Sequence, residues 1–316
     1  MKPTLIEFDE YISPDDETYK FRDGIQKFVL SGTNGLGLPR INYRTQRGPF
    51  QNGQTVLGFT LEPRILTLVH RRNGCSRQEY WDMRADILNI LRPNRQSLTS
   101  FSTGVLRKTL PDNFKRDLNV LVSNGLQFQD DPGIWDEFSL QDSVQFTAFD
   151  PVFFDPSSTT VSFLLSTINE LVFPFTFDPT SLTRPMLIFG GNVLQGSDSI
   201  TYTGTWETFP TITITGPIQT PTITNTTTGQ KIELDYMVSA DEVVTISLEF
   251  GNKTVTNNSD TNLISTVTSD SDLSTFSIVP APTATGGVNV ITAEGTDATA
   301  GVTSIEISYF TRYIGI

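Results

Sequence analysis

The stretch Phe209–Glu249, FPTITITGPIQTPTITNTTTGQKIELDYMVSADEVVTISLE, decides the fold class. Ile212 and Ile214 alternate with Thr211, Thr213 and Thr215. Successive side chains of a strand point to opposite faces, so isoleucine lines one face and threonine the other. Gly216-Pro217 ends that strand, because proline offers no ladder donor and glycine opens a turn. A second short strand, Thr222–Thr224, follows Pro221. Thr226–Gly229 reads as a turn with Asn225 leading in and Gly229 free to take positive φ. Lys231–Val238 and Val243–Glu249 are then two further strands around the polar corner 239–242. Val244, Ile246 and Leu248 alternate with Thr245, Ser247 and Glu249 in the second of them. Such a run packs as antiparallel strands of a sandwich.

Outward from this core, candidate strands recur between turns of Gly, Pro, Asn and Asp. They are Thr160–Leu165, Phe173–Phe177, Pro185–Phe189, Ser199–Gly204, Lys253–Thr256, Leu263–Val267, Ser274–Val279, Val288–Ala293 and Ser304–Arg312. This spacing predicts an all-β sandwich or jelly roll over residues 151–316. The first half differs. It offers strands at Thr4–Phe8, Gln26–Leu30, Arg40–Arg44, Gln54–Leu61, Arg64–Arg71, Ser97–Phe101, Val105–Leu110, Asp117–Gln127 and Glu137–Phe149. RILTLVHR, from Arg64 to Arg71, is apolar enough in its middle to be covered on both faces. One helix stands among them. Ser76 and Glu79 have capping-box spacing, Pro93 ends the run, and Tyr80, Met83, Ile87, Leu88 and Leu91 form the stripe expected to lie on a sheet. Residues 1–150 are therefore expected to be a β-sandwich or small barrel with one α-helix.

Charge supports a division near Asp150. Of the net −13, residues 1–150 carry 18 Lys/Arg against 19 Asp/Glu, and residues 151–316 carry 4 against 16. So acidic a second half argues against nucleic-acid binding, which uses Lys and Arg to neutralise phosphates. No apolar run approaches the ~20 residues that a membrane-spanning helix needs. The opening MKPTLIEFDEYISPDDE lacks the apolar centre of a secretory signal.

Reactive residues are few. The chain has one cysteine, Cys75, and one histidine, His70, which exclude a disulfide framework, cysteine-rich metal sites and the usual histidine-containing triads. His70 lies inside an apolar strand and reads as a packed histidine. Cys75 precedes the helix cap without a supporting motif. Ser269-Asp270-Ser271-Asp272 resembles half of a calcium loop but lacks its glycine and distal glutamate. Thr33–Gly37 is glycine-rich but has no phosphate-loop lysine. Asn225, Asn252 and Asn257 match the glycosylation pattern and read as turn residues, and Asp130-Asp131 is a loop pair. These readings assign no catalytic, cofactor-binding or metal residues and no cofactor.

An ordered series of residues carries a family resemblance. It runs from Gly35-Leu-Gly-Leu-Pro39 through Thr45-Gln-Arg-Gly-Pro-Phe50, Gly53 and Pro63-Arg64. The helix Arg77–Leu91 with Arg92-Pro93 and Asp150-Pro-Val-Phe-Phe-Asp155 follow. Phe209–Pro217, Pro221–Asn225 and Thr228-Gly229 close the series. Together they resemble the siphophage tail-component family, whose best-known members are the distal tail (Dit-like) proteins. The resemblance implies an N-terminal ring-forming domain over 1–150 and a C-terminal jelly-roll, galectin-like domain over 151–316. It implies a homo-hexamer at the distal end of a virion tail, made in the host cytoplasm. That ring would join the tail tube protein to the tail-tip hub protein, next to tape measure and receptor-binding proteins. DNA would pass through the lumen without specific binding, and nothing would insert into a membrane. On charge, the first domain is expected inward and the acidic second domain outward. Two other classes remain open: a carbohydrate-binding adhesin using Trp206 and Tyr202 as a platform, and an envelope hydrolase, for which no catalytic constellation is present.

Overall fold

The computed structural model of the chain describes residues 8–22, 26–30, 33–95, 102–110, 113–128, 139–164, 166–167, 194–299 and 302–316. The expected strands Ser97–Phe101, Phe173–Phe177 and Pro185–Phe189, most of Thr4–Phe8, and the pair Asp130-Asp131 lie outside them. The fold is mainly β. The chain divides into two compact units, 1–156 with 312–316, and 157–311. The last five residues, which the sequence reading assigns to the second domain, thus belong to the first unit.

The first unit holds β1 (Phe8–Ile12), β2 (Thr18–Lys20), β3 (Lys27–Val29), β4 (Ile41–Gln46), β5 (Thr55–Leu61), β6 (Arg64–Asn73), α1 (Arg77–Leu91), β7 (Gly104–Thr109), β8 (Lys115–Gly125), β9 (Ser139–Ala148) and β10 (Phe153–Phe154). Among the described residues the main sheet runs β2-β1-β7-β8-β9-β6-β3, antiparallel throughout. β6 was expected to be covered on both faces. Instead it alternates: Arg64, Leu66, Leu68, His70 and Arg72 are buried while Ile65 is exposed. An antiparallel sheet with one face on its core needs only every second residue apolar. Leu66, Leu68, Leu106, Leu118, Val120, Val144 and Phe146 form that face, and Ile87, Ile90 and Leu91 of α1 pack on it.

Helix α1 starts where its cap predicts. The Ser76 side chain accepts from the Glu79 amide at 3.2 Å, and the Glu79 carboxylate accepts from the Cys75 amide at 2.6 Å. Its buried stripe is Met83, Ile87, Ile90 and Leu91. Leu88, expected inside, is about half exposed, and Tyr80 is only partly buried. Arg72 crosses from β6 and donates to the Met83 carbonyl at 2.9 Å, tethering helix to sheet.

Arg64 organises the rest of this unit. Its side chain is buried. Nε donates to the Pro151 carbonyl at 2.8 Å, Nη1 to the Gly35 and Gly37 carbonyls at 2.5 Å each, and Nη2 to the Ile314 carbonyl at 2.7 Å. The guanidinium lies 4.8 Å from the Phe153 ring centre. Burial lowers its pKa to about 10, so it stays charged at neutral pH. Gly35 has φ +94°, and a Cβ there would stand 2.4 Å from the Ile65 carbonyl, so only glycine permits this approach.

In the second unit, β11 (Thr159–Leu164), β12 (Ser166–Thr167), β13 (Leu194–Thr201), β14 (Thr211–Thr215), β15 (Ile218–Asn225), β16 (Gln230–Glu233), β17 (Met237–Val238), β18 (Val243–Ser247), β19 (Thr254–Asn257), β20 (Val288–Thr296) and β21 (Ser304–Tyr309) make two sheets, β11-β21-β14-β18-β19 and β12-β13-β20-β15-β16 with β17 on β15. The register sets Ile212 between Ile246 and Ile307, and Ile214 between Val244 and Ile305. These meet Ile223, Ile232, Ile291 and Ala293 of the other sheet in one core, each full isoleucine burial contributing about 2 kcal/mol.

Four expectations fail locally. The strand after Pro217 begins at Ile218 and runs through Pro221, which sits at a register shift between Gln219 and Thr222. Proline is tolerated there because the ladder is already interrupted. Leu263–Val267 is a short 3-10 turn, and Ser274–Val279 is a loop, tied to its neighbours by the bridge Thr208↔Ile278 and by side-chain bonds from Asn225 and Gln230. Ser304–Arg312 breaks after Tyr309. Arg312–Tyr313 forms β22, which pairs with β10 through Phe153↔Tyr313 and Phe154↔Arg312.

Two outcomes are expected. Arg64→Met strands several carbonyls without a donor and should cost about 3 kcal/mol or more in urea unfolding of the first unit. A cost below about 1 kcal/mol would mean that the carbonyls are satisfied otherwise. His70 is buried, and neither ring nitrogen has a hydrogen-bond partner among the described residues. Burial, with Arg72 adding to it, lowers its pKa to about 3. Above the unfolded pKa of ~6.5 the ring is neutral in both states. Below it only the unfolded chain gains the proton, so stability falls as pH drops from ~6.5 towards 3. Between pH 7 and 4.5 wild type should lose about 2–3 kcal/mol more than His70→Leu. Parallel pH dependences for the two proteins would contradict this.

Candidate subunit interface

The sequence-flagged reactive residues do not converge. His70 is a core residue beside Phe21, with ring centres 6.0 Å apart. Cys75 is exposed, with its Sγ 3.9 Å from Gln26 Nε2. Asp272 accepts from the Lys231 amide and Ser271 from the Glu233 amide, so the half calcium loop is a turn pinned to β16. Asn225 is buried, donates to the Ser277 carbonyl and Asn289, and accepts from the Thr227 amide, which leaves no amide for a glycan. Among the described residues no three His, Cys, Asp or Glu side chains group as metal ligands. Tyr202 is buried and donates through its hydroxyl to the Trp206 carbonyl at 2.7 Å, so it cannot face a sugar.

The feature that stands out is the hairpin β4–β5, which forms its own two-stranded sheet. Its register places Ile41 opposite Leu61, Tyr43 opposite Phe59, and Thr45 opposite Val56, all on one face. The other face carries Asn42 opposite Thr60, Arg44 opposite Gly58, and Gln46 opposite Thr55. A register shift between Arg44 and Thr45 leaves Leu57 as the extra residue. Tyr43 and Phe59 meet across the strands at a tilt, with ring centres 6.5 Å apart. Tyr43 is 57% exposed, Phe59 53%, Val56 60% and Leu57 64%.

The tip is held by its own bonds. The Gly48 amide donates to Gln51 Oε1 at 2.9 Å, Arg47 donates to the Gln51 carbonyl at 3.2 Å, and Gln51 Nε2 donates to Thr55 at 2.9 Å. Phe50, at φ 62°, is fully exposed there. At the base, Arg40 pairs with Glu62 at 3.3 Å. Residues 41–61 include Arg44 and Arg47 and no Asp or Glu.

A lone two-stranded ribbon is marginally stable in water. This one is amphipathic, with its apolar face exposed, and its two strands pair with each other in a sheet of their own. Contiguous apolar patches of this kind mark association surfaces. Within the glycine-rich segment 31–53, Gly35 and Gly37 place their carbonyls on Arg64, while the part that enters the ribbon presents exposed apolar side chains. The exposed face was missed in the sequence because its alternation, I-N-Y-R-T and V-L-G-F-T-L, reads like any half-buried strand.

Residues 203–313 match the family model for the siphovirus-type tail component, C-terminal domain. Among solved structures the chain is similar to the Dit protein (gp 19.1) of phage SPP1, described as a paradigm of the hub adsorption apparatus in phages that infect Gram-positive hosts. That likeness has 14% identity and a TM-score of 0.56, and covers 90% of this chain and 93% of that one. A chain of the phage P2 baseplate, in its activated conformation with calcium, is similar at 13% identity and a TM-score of 0.46, over 95% and 97%. No curated protein matches. The matched family segment runs from the second unit through β22 and so takes in the strand that returns to the first. Residues 203–313 thus match a siphovirus-type tail component domain, in a chain whose fold is similar to that of the SPP1 Dit protein.

Proposed function

We propose that this chain is a distal tail protein that assembles as a homo-hexameric ring at the distal end of a siphophage tail, joins the tail tube to the tip hub, and carries host-adsorption components. It acts as a structural part and not as an enzyme. The carrying observation is the β4–β5 ribbon, whose exposed apolar face gives residues 41–61 a surface that association would cover. A cyclic ring repeats one heterologous contact around its axis, so each copy must offer a donor patch and a different acceptor. The ribbon suits the donor. The tail-component domain matched at residues 203–313 supports the tail, and the fold shared with the SPP1 Dit protein supports its end. An adhesin built on Tyr202 and Trp206 is disfavoured, because Tyr202 is an interior side chain.

Native mass spectrometry of the purified chain is expected to give a closed species of six 35.0 kDa subunits, and antibody labelling should mark one end of the tail. A stable monomer, absent from the tail end and binding wall sugar, would support the adhesin instead. Tyr43→Ser combined with Phe59→Ser removes apolar area that the isolated chain leaves exposed. It should move the melting temperature little, since surface changes stay within about 0.5 kcal/mol each, yet weaken association at least about tenfold in sedimentation. Unfolding of the chain by this pair would show that the ribbon face packs internally.

A further inference from the structure

We propose that residues 312–316 form a strap whose docking holds the β4–β5 ribbon in its associating position, so that a chain can associate only once the residues that follow its second unit are in place. The proposal rests on the ring reading above and names what controls its contact. Residues 312–316 belong to the first unit, yet in sequence they come after the whole of the second. Until they arrive, β10 lacks the partner that β22 gives it.

Both feet of the ribbon rest on this strap. On the β4 side, the Ile316 amide donates to the Leu36 carbonyl at 3.1 Å, and Leu36 leads through Gly37 and Pro39 into β4. Gly315 packs on the same loop: a Cβ there would stand 3.2 Å from the Gly37 carbonyl oxygen and 3.4 Å from that of Leu36. On the β5 side, the Ile314 carbonyl accepts from Arg64 Nη2 at 2.7 Å, and Arg64 follows β5 across Glu62 and Pro63. Successive strap residues thus grip the segment before the ribbon and the segment after it. Among the described residues the ribbon pairs with no third strand. Two strands alone are marginal in water, so the ribbon's direction depends on its feet.

The strap has its own fastenings, away from the ribbon. Arg312 donates to Asp150 at 2.6 Å, Tyr313 packs against the core of the first unit, and the Arg116 guanidinium lies 3.8 Å from the Tyr313 ring centre. Releasing it takes one acceptor from a buried guanidinium and one donor from the Leu36 carbonyl. A buried charge short of a partner is costly. That cost falls on Arg64 and the 35–37 loop, and not on the β8–β9 ladder, which β22 does not join.

Hydrogen exchange and sedimentation of full-length variants test this. Arg312→Asp with Tyr313→Ser sets a carboxylate against Asp150 and removes the Arg116 stack, without touching the ribbon. Amides of β4 and β5 should then exchange at least about tenfold faster, while those of β8, β9 and β14 change less than about twofold. Association should weaken at least about tenfold, because only the strap-docked fraction is competent. Gly315→Val, which presses a side chain on the Gly37 and Leu36 carbonyls, should act in the same direction, and it decides the matter if the first variant loses its circular dichroism. Unchanged ribbon exchange, or rings that form as readily as from the unmodified chain, would overturn the proposal. So would exchange that rises equally in β8 and β9, since the strap would then support the whole unit and not the ribbon. An unmodified chain that stays monomeric would overturn the ring reading, whereas selective exchange of the ribbon in the variants would still uphold the strap.

Discussion

Four backbone carbonyls from three separated segments converge on one buried guanidinium. Arg64 gathers the Gly35–Gly37 loop, the Pro151 step and the carbonyl of Ile314 near the chain's end. A buried charge with partial satisfaction is costly, and one with complete satisfaction fixes its surroundings. The neighbouring contacts build on that point. Ile316 donates to the Leu36 carbonyl at 3.1 Å, Arg312 pairs with Asp150, and Arg116 pairs with Asp155 while stacking 3.8 Å from the Tyr313 ring centre. The chain leaves the first unit after residue 156 and re-enters it at 312, and both passages are held by residues around this arginine.

That anchoring also sets the ends of the ribbon. Pro39 and Arg40 lead directly into β4, and β5 returns through Glu62 and Pro63 to Arg64 itself. The ribbon therefore springs from two points fixed within a few residues of the same buried group, with the Arg40–Glu62 pair across its base. Rigid presentation suits the association proposed for this surface, because an ordered patch loses less entropy on association than a mobile one. Here the polar chemistry serves to position apolar area rather than to react.

The sandwich of the second unit was legible because its signal is local. Ile-Thr alternation in 211–215 and Val-Thr-Ile-Ser in 244–247 names the inward face without knowledge of any partner. The capping pair Ser76 and Glu79 was legible for the same reason. What could not be read depends on contacts distant in sequence. Pro63-Arg64 was visible only as part of a family pattern, and nothing nearby says that Arg64 will meet residue 314. The Ser304–Arg312 run shows no break before Thr311, yet the chain changes units there. Leu88 was assigned to the core because an apolar residue at helical spacing has one expected use. Here the helix is apolar at Trp81 and Leu88 on its exposed side as well, and the sequence alone does not rank the two sides. Likewise the β4–β5 alternation states that one face is apolar but not whether this chain covers it.

Whether the ribbon closes the proposed ring is resolved most directly by a cryo-EM reconstruction of intact tails. The predicted result is a six-fold layer at the distal end in which density for residues 41–61 of each copy lies against the neighbouring copy, with Tyr43 and Phe59 buried. Density for this chain in which residues 41–61 point into solvent, or lie against their own copy throughout, would contradict it.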